Sequence, residues 1–548
     1  MSKIRMLGLS VVMLFVAFII SSCASAGANR ATRSQLLQNL NKRDFKSAEN
    51  FVNDAKFYPE ENSALLKLLE RGTVQYLSGN YYQALQTLEQ AQKLSDELFT
   101  KSISKAIGAT IGSASSDNYY GTRYERSLIR FYESLVHYNL YKTGKYEAYS
   151  QKDNEGKVTQ IPAKTLSDNE KTTHLSQARS ILLEWDTLLS SYNKELAGKA
   201  VYKADLVQKL YAAFVHEEFG TSGDRQIALQ LYKDAKDDVL LKYYNLYPNF
   251  NEKSNDFSKN FNNLSKMSLE KIKADFIKPT ANADDLNAFI DSKIAKLSGN
   301  NKDNFTVVLK DGFVAPKKAK KVIVAMIPSF THKIEPDDIF IPVPPQVAPI
   351  LAAIGTGQLN EFLVWALVGG IIEFEIPYIV DSVNLRSYKA SLTGKNGSPI
   401  DFPIVLLDPM TNIAAKELNA TQTADLIKSG AVLAAKHAAA LVAAYQVWQN
   451  ADKLAKNESN AFKKKALETA AKTAAIASYR AASELINKSA MADLRYWNSL
   501  ANNIRLGSAN VPDGTYKLTI YSVSNGADSK VYEKEVTVKG SAFVDINL

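Results

Sequence analysis

Cys23 is the only cysteine in a chain of 548 residues. No disulfide can therefore form within the chain, and the folded body must be held together by non-covalent packing. The cysteine follows the apolar run Met6–Ile20, and that run is itself preceded by Lys3 and Arg5. A cationic start followed by a short apolar core is typical of a secretory signal peptide. The run is shorter than the roughly 20 residues that a membrane-spanning helix needs.

Ile20, Ser21 and Ser22 stand directly before the cysteine and complete a bacterial lipoprotein signal. Small residues at this point let a signal peptidase approach the backbone. We expect residues 1–22 to be removed and Cys23 to carry diacylglycerol and an N-acyl chain such as palmitate, because several acyl chains anchor a protein stably. The alternative is an uncleaved membrane anchor in which Cys23 is a free thiol.

The residues after the cysteine predict the location of the mature chain. Ala24 and Ser25 are followed by no early aspartate, a pattern similar to that of lipoproteins sent to the outer membrane. The net charge of +9 becomes +7 once Lys3 and Arg5 are removed, a mild bias that is compatible with anionic envelope polymers. We expect a membrane contact through the lipid, envelope proteins as partners, peptidoglycan as a further candidate, and no nucleic acid.

Residues 23–36 are small and polar and predict a tether, and helical periodicity then covers residues 37–298. The clearest unit contains Gly72, the turn Gly79-Asn80-Tyr81, and then Ala84 and Ala91. A tetratricopeptide repeat places small residues at this spacing, where its two helices cross. The sequence therefore predicts a tetratricopeptide-like helical repeat here, with an ordinary helical bundle as the alternative.

Two weaker copies of this pattern follow. Ile129–Tyr149 predicts a helix–turn–helix, and Lys209–Leu240 repeats the spacing of seven with Ala228 and Ala235. The polar stretch Gln151–Asn169 between them contains Gly and Pro and predicts a loop. The array is therefore expected to carry insertions.

Tyrosines are dense in the same region and recur three to five residues apart. Their hydroxyls allow two interpretations: a helix–helix core with the polar end at its edge, which we favour, or a binding surface lined with aromatic groups. The residues concerned are Tyr119, Tyr120, Tyr124, Tyr132, Tyr138, Tyr141, Tyr146 and Tyr149.

Residues 299–409 predict a β-rich domain. Phe305–Lys310 is β-branched and precedes the turn Asp311-Gly312, and Ser387–Leu392 and Ile400–Leu407 predict further short strands. Five prolines between residues 336 and 349 predict an irregular loop, and Pro377 is expected to separate two apolar strands.

Residues 410–497 are rich in Ala and Lys and predict two long helices with a break near Asn450–Asn460. Residues 498–548 alternate polar and apolar side chains and predict a small antiparallel sheet of their own. The expected fold class is therefore α+β, with a repeat region, a β-rich domain, an Ala-rich helical hairpin and a C-terminal sheet.

The residues do not predict a catalytic set, a metal site or a cofactor. The five histidines at positions 137, 174, 216, 332 and 437 are more than 30 residues apart in every case. His216-Glu217-Glu218 lacks the second histidine of a zinc-protease helix, and GxSxG, GxGxxG and phosphate-loop patterns do not occur. An enzyme whose site is assembled from distant residues stays open as an alternative.

Several landmarks together resemble a family of uncharacterised bacterial envelope lipoproteins with tetratricopeptide-like repeats. They are Cys23, Arg71-Gly72, Tyr124-Glu125-Arg126, Val308–Pro316, and Asp493-Leu494-Arg495-Tyr496-Trp497 before Val511-Pro512-Asp513-Gly514. Genes of this family often lie near those of lipoproteins similar to activators of penicillin-binding proteins. Asp493, Arg495 and Trp497 are expected to form a structural staple between the long helices and the terminal sheet.

The resemblance and the signal together predict a non-enzymatic scaffold. It would be anchored in the outer membrane, face the periplasm, and assemble or support an envelope machine for cell-wall synthesis, motility or secretion. The alternatives are a module that binds peptidoglycan or another anionic polymer, and a surface-exposed adhesin or virulence lipoprotein.

Overall fold

A computed structural model describes residues 32–105, 118–152, 158–195, 202–240, 283–325, 339–342, 371–379, 387–394, 397–524 and 527–548. Cys23 and the predicted signal Ile20–Ser22 lie outside the described residues. Most of the proline-rich stretch between residues 336 and 349 also lies outside them. The described part is a mixed α and β structure in which a large, mostly antiparallel sheet packs against helices.

Helices fill the first half of the described chain, and from α2 to α8 each helix packs against the next along the chain. Short 3₁₀ and π-helical turns occur at Glu61–Ser63 and Ala235–Leu240. The helices are α1 (32–41), α2 (Phe45–Asn53), α3 (Ala64–Leu77), α4 (Tyr81–Lys105), α5 (Arg123–Thr143), α6 (Asp168–Glu195), α7 (Leu206–Phe219), α8 (Ser222–Asp234) and α9 (Ala283–Ser298).

Gly72 allows α3 and α4 to approach closely. A Cβ atom at this position would lie 2.8 Å from Leu88 Cδ2, which is closer than two such carbons can pack. Ala84 and Ala91 on α4 are completely buried. Ala228 on α8 and Ala235, which directly follows α8, are also completely buried. The small residues singled out by the sequence therefore all lie at buried positions in the helical region.

The expected helix–turn–helix at Ile129–Tyr149 is wrong in its second half. Helix α5 begins with a capping box between Thr122 and Glu125 and ends at Gly144, whose φ of 63° stops the helix. Two small antiparallel ribbons follow instead of a helix or a plain loop. Their β-branched and aromatic residues favour extended backbone. The strands are β1 (Lys145–Tyr146) with β4 (Lys164–Thr165), and β2 (Tyr149–Lys152) with β3 (Val158–Ile161).

The expected separate C-terminal sheet is also wrong, because its strands join those of the central region in one seven-stranded sheet. Its order is β13-β12-β9-β10-β11-β5-β14, and only the β14–β5 pair is parallel. Leu506 pairs with Val308 in this sheet, so the final strands satisfy backbone groups that lie about 200 residues earlier. The strands are β5 (Phe305–Phe313), β9 (Ser387–Gly394), β10 (Ile400–Pro409), β11 (Ala501–Ala509), β12 (Gly514–Ser524), β13 (Ala527–Val538) and β14 (Ala542–Asn547).

A three-stranded sheet, in the order β7-β6-β8, consists of β6 (Lys317–Ala325), β7 (Ile339–Pro342) and β8 (Ile371–Ile379). Pro377 lies inside β8 rather than between two strands, which corrects the expectation from sequence. The N–H groups of Glu373 and Glu375 point away from β6, toward Asn487 Oδ1 and the Ala490 carbonyl. Pro377 lies two residues beyond Glu375 in β8, so its nitrogen also points away from β6. The missing N–H of the proline therefore removes no hydrogen bond between the two strands.

Two long helices, α10 (Met410–Lys456) and α11 (Ala461–Ser489), follow β10 and together are called the arm. Helix α11 packs back along α10 through buried alanines that include Ala455 and Ala475. The 47 residues of α10 correspond to a length of about 70 Å. Among the helices that the structure describes, none is long and apolar enough to cross a membrane.

Candidate functional site

The segment 493–500 connects the arm to β11 and inserts into the helical region; we call this contact the joint. Trp497 is completely buried, and its ring lies 5.5 Å from that of Tyr132 on α5. The indole Nε1–H of Trp497 donates to Thr73 Oγ1 at 2.9 Å, and its backbone N–H donates to Glu125 Oε1 at 2.7 Å. One side chain therefore contacts both α3 and α5.

Glu70, on α3, accepts four hydrogen bonds from the next two residues of the joint. The donors are the backbone N–H groups of Asn498 and Ser499, at 2.6 and 3.0 Å, and the side chains of the same residues. Burial raises the pKa of Glu70 to about 7, although these donors favour the ionised form. The carboxyl group thus accepts the backbone N–H groups of Asn498 and Ser499, which in a sheet would be bonded to a neighbouring strand.

Arg495 stabilises the start of the joint by hydrogen bonds. Its guanidinium binds Asp493 through Nε and Nη2, at 2.9 and 2.7 Å, and donates from Nη1 to the Asn62 carbonyl at 3.0 Å. The three residues Asp493, Arg495 and Trp497 lie in irregular rather than helical backbone. The side chains of Arg495 and Trp497 contact the helical region at Asn62 and Thr73, a contact that the prediction of a staple between the long helices and the terminal sheet did not include.

A second buried polar cluster connects the same helices to the seven-stranded sheet. Asp545 on β14 pairs with Lys310 on β5, and it accepts hydrogen bonds from Tyr76 and from Asn139 Nδ2. Both members of the ion pair are buried, so the loss of either one would leave an uncompensated charge. The joint and this cluster fix the helical region and the sheet to each other.

The dense tyrosines divide between the core and the surface. Tyr119, Tyr124, Tyr132 and Tyr138 are buried, as the favoured interpretation from sequence requires. Tyr146 and Tyr149, on the ribbons after α5, are only partly buried and turn toward the start of α4. Part of the ring surface of these two residues therefore stays open to solvent.

A shallow pocket, here called the tyrosine pocket, forms between the α3–α4 turn and the ribbons. The Tyr82 ring stacks on that of Tyr146 at 4.3 Å and 12°, and it lies 6.2 Å from the ring of Tyr149. The Tyr149 hydroxyl donates to Gln86 Oε1 at 2.7 Å. The lining residues are Gly79, Asn80, Tyr81, Tyr82, Gln83, Lys145, Tyr146, Glu147 and Tyr149.

The pocket combines flat aromatic faces with polar groups of both charges. Lys145 and Glu147 form an exposed ion pair of 3.1 Å at its rim, which contributes little to stability and is easily exchanged for another partner. Burial raises the pKa of Tyr149 to about 12, so its hydroxyl stays protonated at neutral pH. Such a surface can stack on planar or apolar groups of a ligand and orient them by hydrogen bonds.

Two pairs of ionisable residues, one partly and one fully buried, were missed at the level of sequence. Nδ1 atoms of His137 and His174 lie 2.8 Å apart between α5 and α6, although 37 residues separate them. Asp205 caps the start of α7 and shares a hydrogen bond with Asp408 of β10. Burial raises the pKa of both carboxyls, which favours a shared proton that removes one of the pair's two negative charges at this contact between helix and sheet.

Within the described ranges, no group of three or more His, Cys, Asp and Glu side chains is arranged to hold a metal ion. Comparison with protein-family models, with curated proteins and with solved structures gives no match.

Proposed function

We propose that this chain is a non-enzymatic scaffold of the bacterial cell envelope, anchored by lipid on Cys23 in the outer membrane and facing the periplasm. Its task is to hold partner proteins of an envelope machine such as those of cell-wall synthesis, motility or secretion. The observation that carries this proposal is the open tyrosine pocket on a body whose distant parts are fixed by buried polar contacts.

The helical region supplies the binding platform as a tetratricopeptide-like array with inserted ribbons. The close contact of Gly72 with Leu88 and the buried Ala84 and Ala91 support a first repeat at α3–α4. The buried Ala228 and Ala235 support a second repeat at α7–α8. Stacked helix pairs of this kind present extended surfaces for peptides and proteins. The arm acts as a helical hairpin that extends from this platform.

The tyrosine pocket suits an extended segment of a partner protein. The stacked rings of Tyr82 and Tyr146 offer apolar contact, while Lys145 and Glu147 can exchange their mutual ion pair for charges on the partner. Tyrosine gains much contact area at a low cost in conformational entropy, and for this reason it is common at protein interfaces. The pocket is the contact that we assign to the scaffold's partner.

Photo-crosslinking in living cells tests this assignment. Benzoylphenylalanine replaces Lys145 at the rim of the pocket, and in a matched control it replaces Leu183, an exposed apolar residue of α6. We expect a covalent adduct with an envelope protein from position 145 and none from position 183. Tyr82→Ala should reduce the yield of that adduct. Equal adducts from both positions, or none from position 145, would exclude the pocket as the partner site.

The anchor is tested separately with Cys23→Ala. The unmodified chain should accumulate as an unprocessed precursor, whereas the wild-type chain should incorporate labelled palmitate. Unchanged processing of the variant would exclude the lipoprotein assignment, whatever the result of crosslinking.

A further inference from the structure

The far end of the arm exposes large apolar side chains. Phe462, in the first turn of α11, is 86% exposed, and Val447 and Leu467 nearby are 47% and 46% exposed. All three lie within about 15 Å, along the helices, of the connection between α10 and α11. We call residues 447–472 the arm tip.

The exposure of Phe462 is set by the start of its helix. Asn460 Oδ1 accepts hydrogen bonds from the backbone N–H groups of Phe462 and Lys463, both at 3.1 Å. This cap fixes the first turn and holds the Phe462 ring at the end of the arm. The rest of the described chain leaves this ring almost entirely uncovered.

Lysines surround the exposed ring. The arm tip contains six lysines and three carboxylates, a surplus of three positive charges. Lys456 pairs with Asp452 at 2.7 Å, whereas Lys463, Lys464 and Lys465 form no ion pair with any residue that the structure describes. The three consecutive lysines directly follow Phe462 in α11, so their positive charges lie within one helical turn of the exposed ring.

We propose that the arm tip binds the headgroup surface of an anionic phospholipid bilayer. The Phe462 ring enters the boundary between headgroups and acyl chains, and Lys463–Lys465 contact lipid phosphates. Apolar and basic residues together favour this site over an anionic polysaccharide, which would bind the lysines but give the ring no apolar phase to enter. The contact goes beyond the scaffold role proposed above and depends neither on the tyrosine pocket nor on the lipid at Cys23.

Site-specific fluorescence tests the proposal on the mature chain, made without residues 1–22 so that the apolar run Met6–Ile20 cannot itself bind vesicles. Because Cys23 is the only cysteine, a Cys23→Ser background allows a single engineered cysteine to carry an environment-sensitive dye. Ala461→Cys places the dye beside an intact Phe462, and Ser478→Cys places it about 24 Å along the same helix as a control. Both positions are exposed, so neither label should disturb folding.

Vesicles of phosphatidylcholine with added phosphatidylglycerol should shift the emission of the dye at position 461 to the blue, but not that at position 478. Vesicles of phosphatidylcholine alone should give no shift, and added salt should reverse the shift. No difference between the two positions, or between the two kinds of vesicle, would overturn the proposal. A shift caused by purified peptidoglycan but not by vesicles, or by raising the protein concentration alone, would also overturn it in favour of a polymer or a second copy.

Two further variants separate the contributions of ring and charge. Replacing Lys463, Lys464 and Lys465 together by Gln should weaken vesicle binding on the order of tenfold or more. Replacing Lys530, Lys534 and Lys539, three exposed lysines in or next to β13, is the control of equal charge and should leave binding unchanged. Phe462→Ser should remove the blue shift while far-ultraviolet circular dichroism stays unchanged. Equal effects of the two lysine sets would show that the protein binds vesicles only through its overall charge. That result would overturn the assignment of the site to the arm tip.

Discussion

The indole N–H of Trp497 donates to Thr73 Oγ1 at 2.9 Å, although the two residues are 424 positions apart in the chain. Thr73 is the neighbour of Gly72 in α3, so the joint contacts α3 beside the point where α3 and α4 approach closely. The last tenth of the chain and the first helices consequently share buried contacts, and we expect them to unfold together.

Trp497→Ala should destabilise the protein by about 3–5 kcal/mol, since it removes a large buried ring and leaves a cavity between α3 and α5. Thr73→Val should cost about 1–3 kcal/mol because the indole N–H loses one of its acceptors in a buried site. Urea unfolding followed by circular dichroism measures both values. Leu183→Ala, at an exposed position, is the control and should stay within about 0.5 kcal/mol of the wild type. A Trp497→Ala variant as stable as the control would show that the joint does not hold the two regions together.

Glu70 should make stability depend on pH in the direction opposite to that of a surface ion pair. Its pKa is about 7 in the folded state and 4.5 in the reference state, so between these values the folded chain binds more protons than the unfolded chain. The contribution is fully present below pH 4.5 and is lost as the pH rises through 7, by about 1.4 kcal/mol per pH unit at most.

Urea midpoints from pH 5 to pH 8 measure this effect. Glu70→Gln cannot titrate, so the difference in stability between wild type and variant should shrink as the pH rises. The exposed Glu97→Gln variant should keep the wild-type profile. A constant difference between wild type and Glu70→Gln would show that Glu70 does not change its protonation in this range.

The His137–His174 pair should have the opposite pH dependence to Glu70. Burial lowers the pKa of His137 to about 3 and also lowers that of His174, so the folded pair stays neutral where the unfolded chain takes up protons. Its contribution is present above pH 6.5 and is lost as the pH falls toward 3. His137→Gln should flatten this acid limb of the stability profile. Direct titration of the His137 ring by NMR, with a midpoint near 6.5, would contradict the prediction.

Gly72→Val should destabilise the helical region by about 1–3 kcal/mol, because its side chain would overlap Leu88 on α4. Gly223→Ala is the matched control, since the nearest atom to a new Cβ there is Thr221 Oγ1 at 3.9 Å. Leu88→Ala combined with Gly72→Val should cost less than the sum of the two single changes, because the smaller residue makes room. Additive losses would show that the two positions do not share the crossing.

Much of the local structure followed from the sequence. The structure has strands at Ser387–Gly394 and Ile400–Pro409 and a helix from Met410, close to the positions that the sequence predicts. These features depend on alternation, helix propensity and capping, which act over a few neighbouring residues. The burial of Glu70 could also have been predicted from local sequence, because Glu70 lies on the same face of α3 as the buried Leu66 and Thr73.

The tertiary structure alone decided which distant segments meet. The C-terminal strands pair with β5 and β9 instead of forming a sheet of their own, and Trp497 donates hydrogen bonds to residues of α3 and α5. The same holds for His137 with His174 and for Asp205 with Asp408. A backbone N–H or a buried carboxylate can be satisfied by any suitable partner, so its choice depends on the packing of the whole chain. The sequence thus determined the type of most elements, the ribbons after α5 excepted, and the fold determined their contacts.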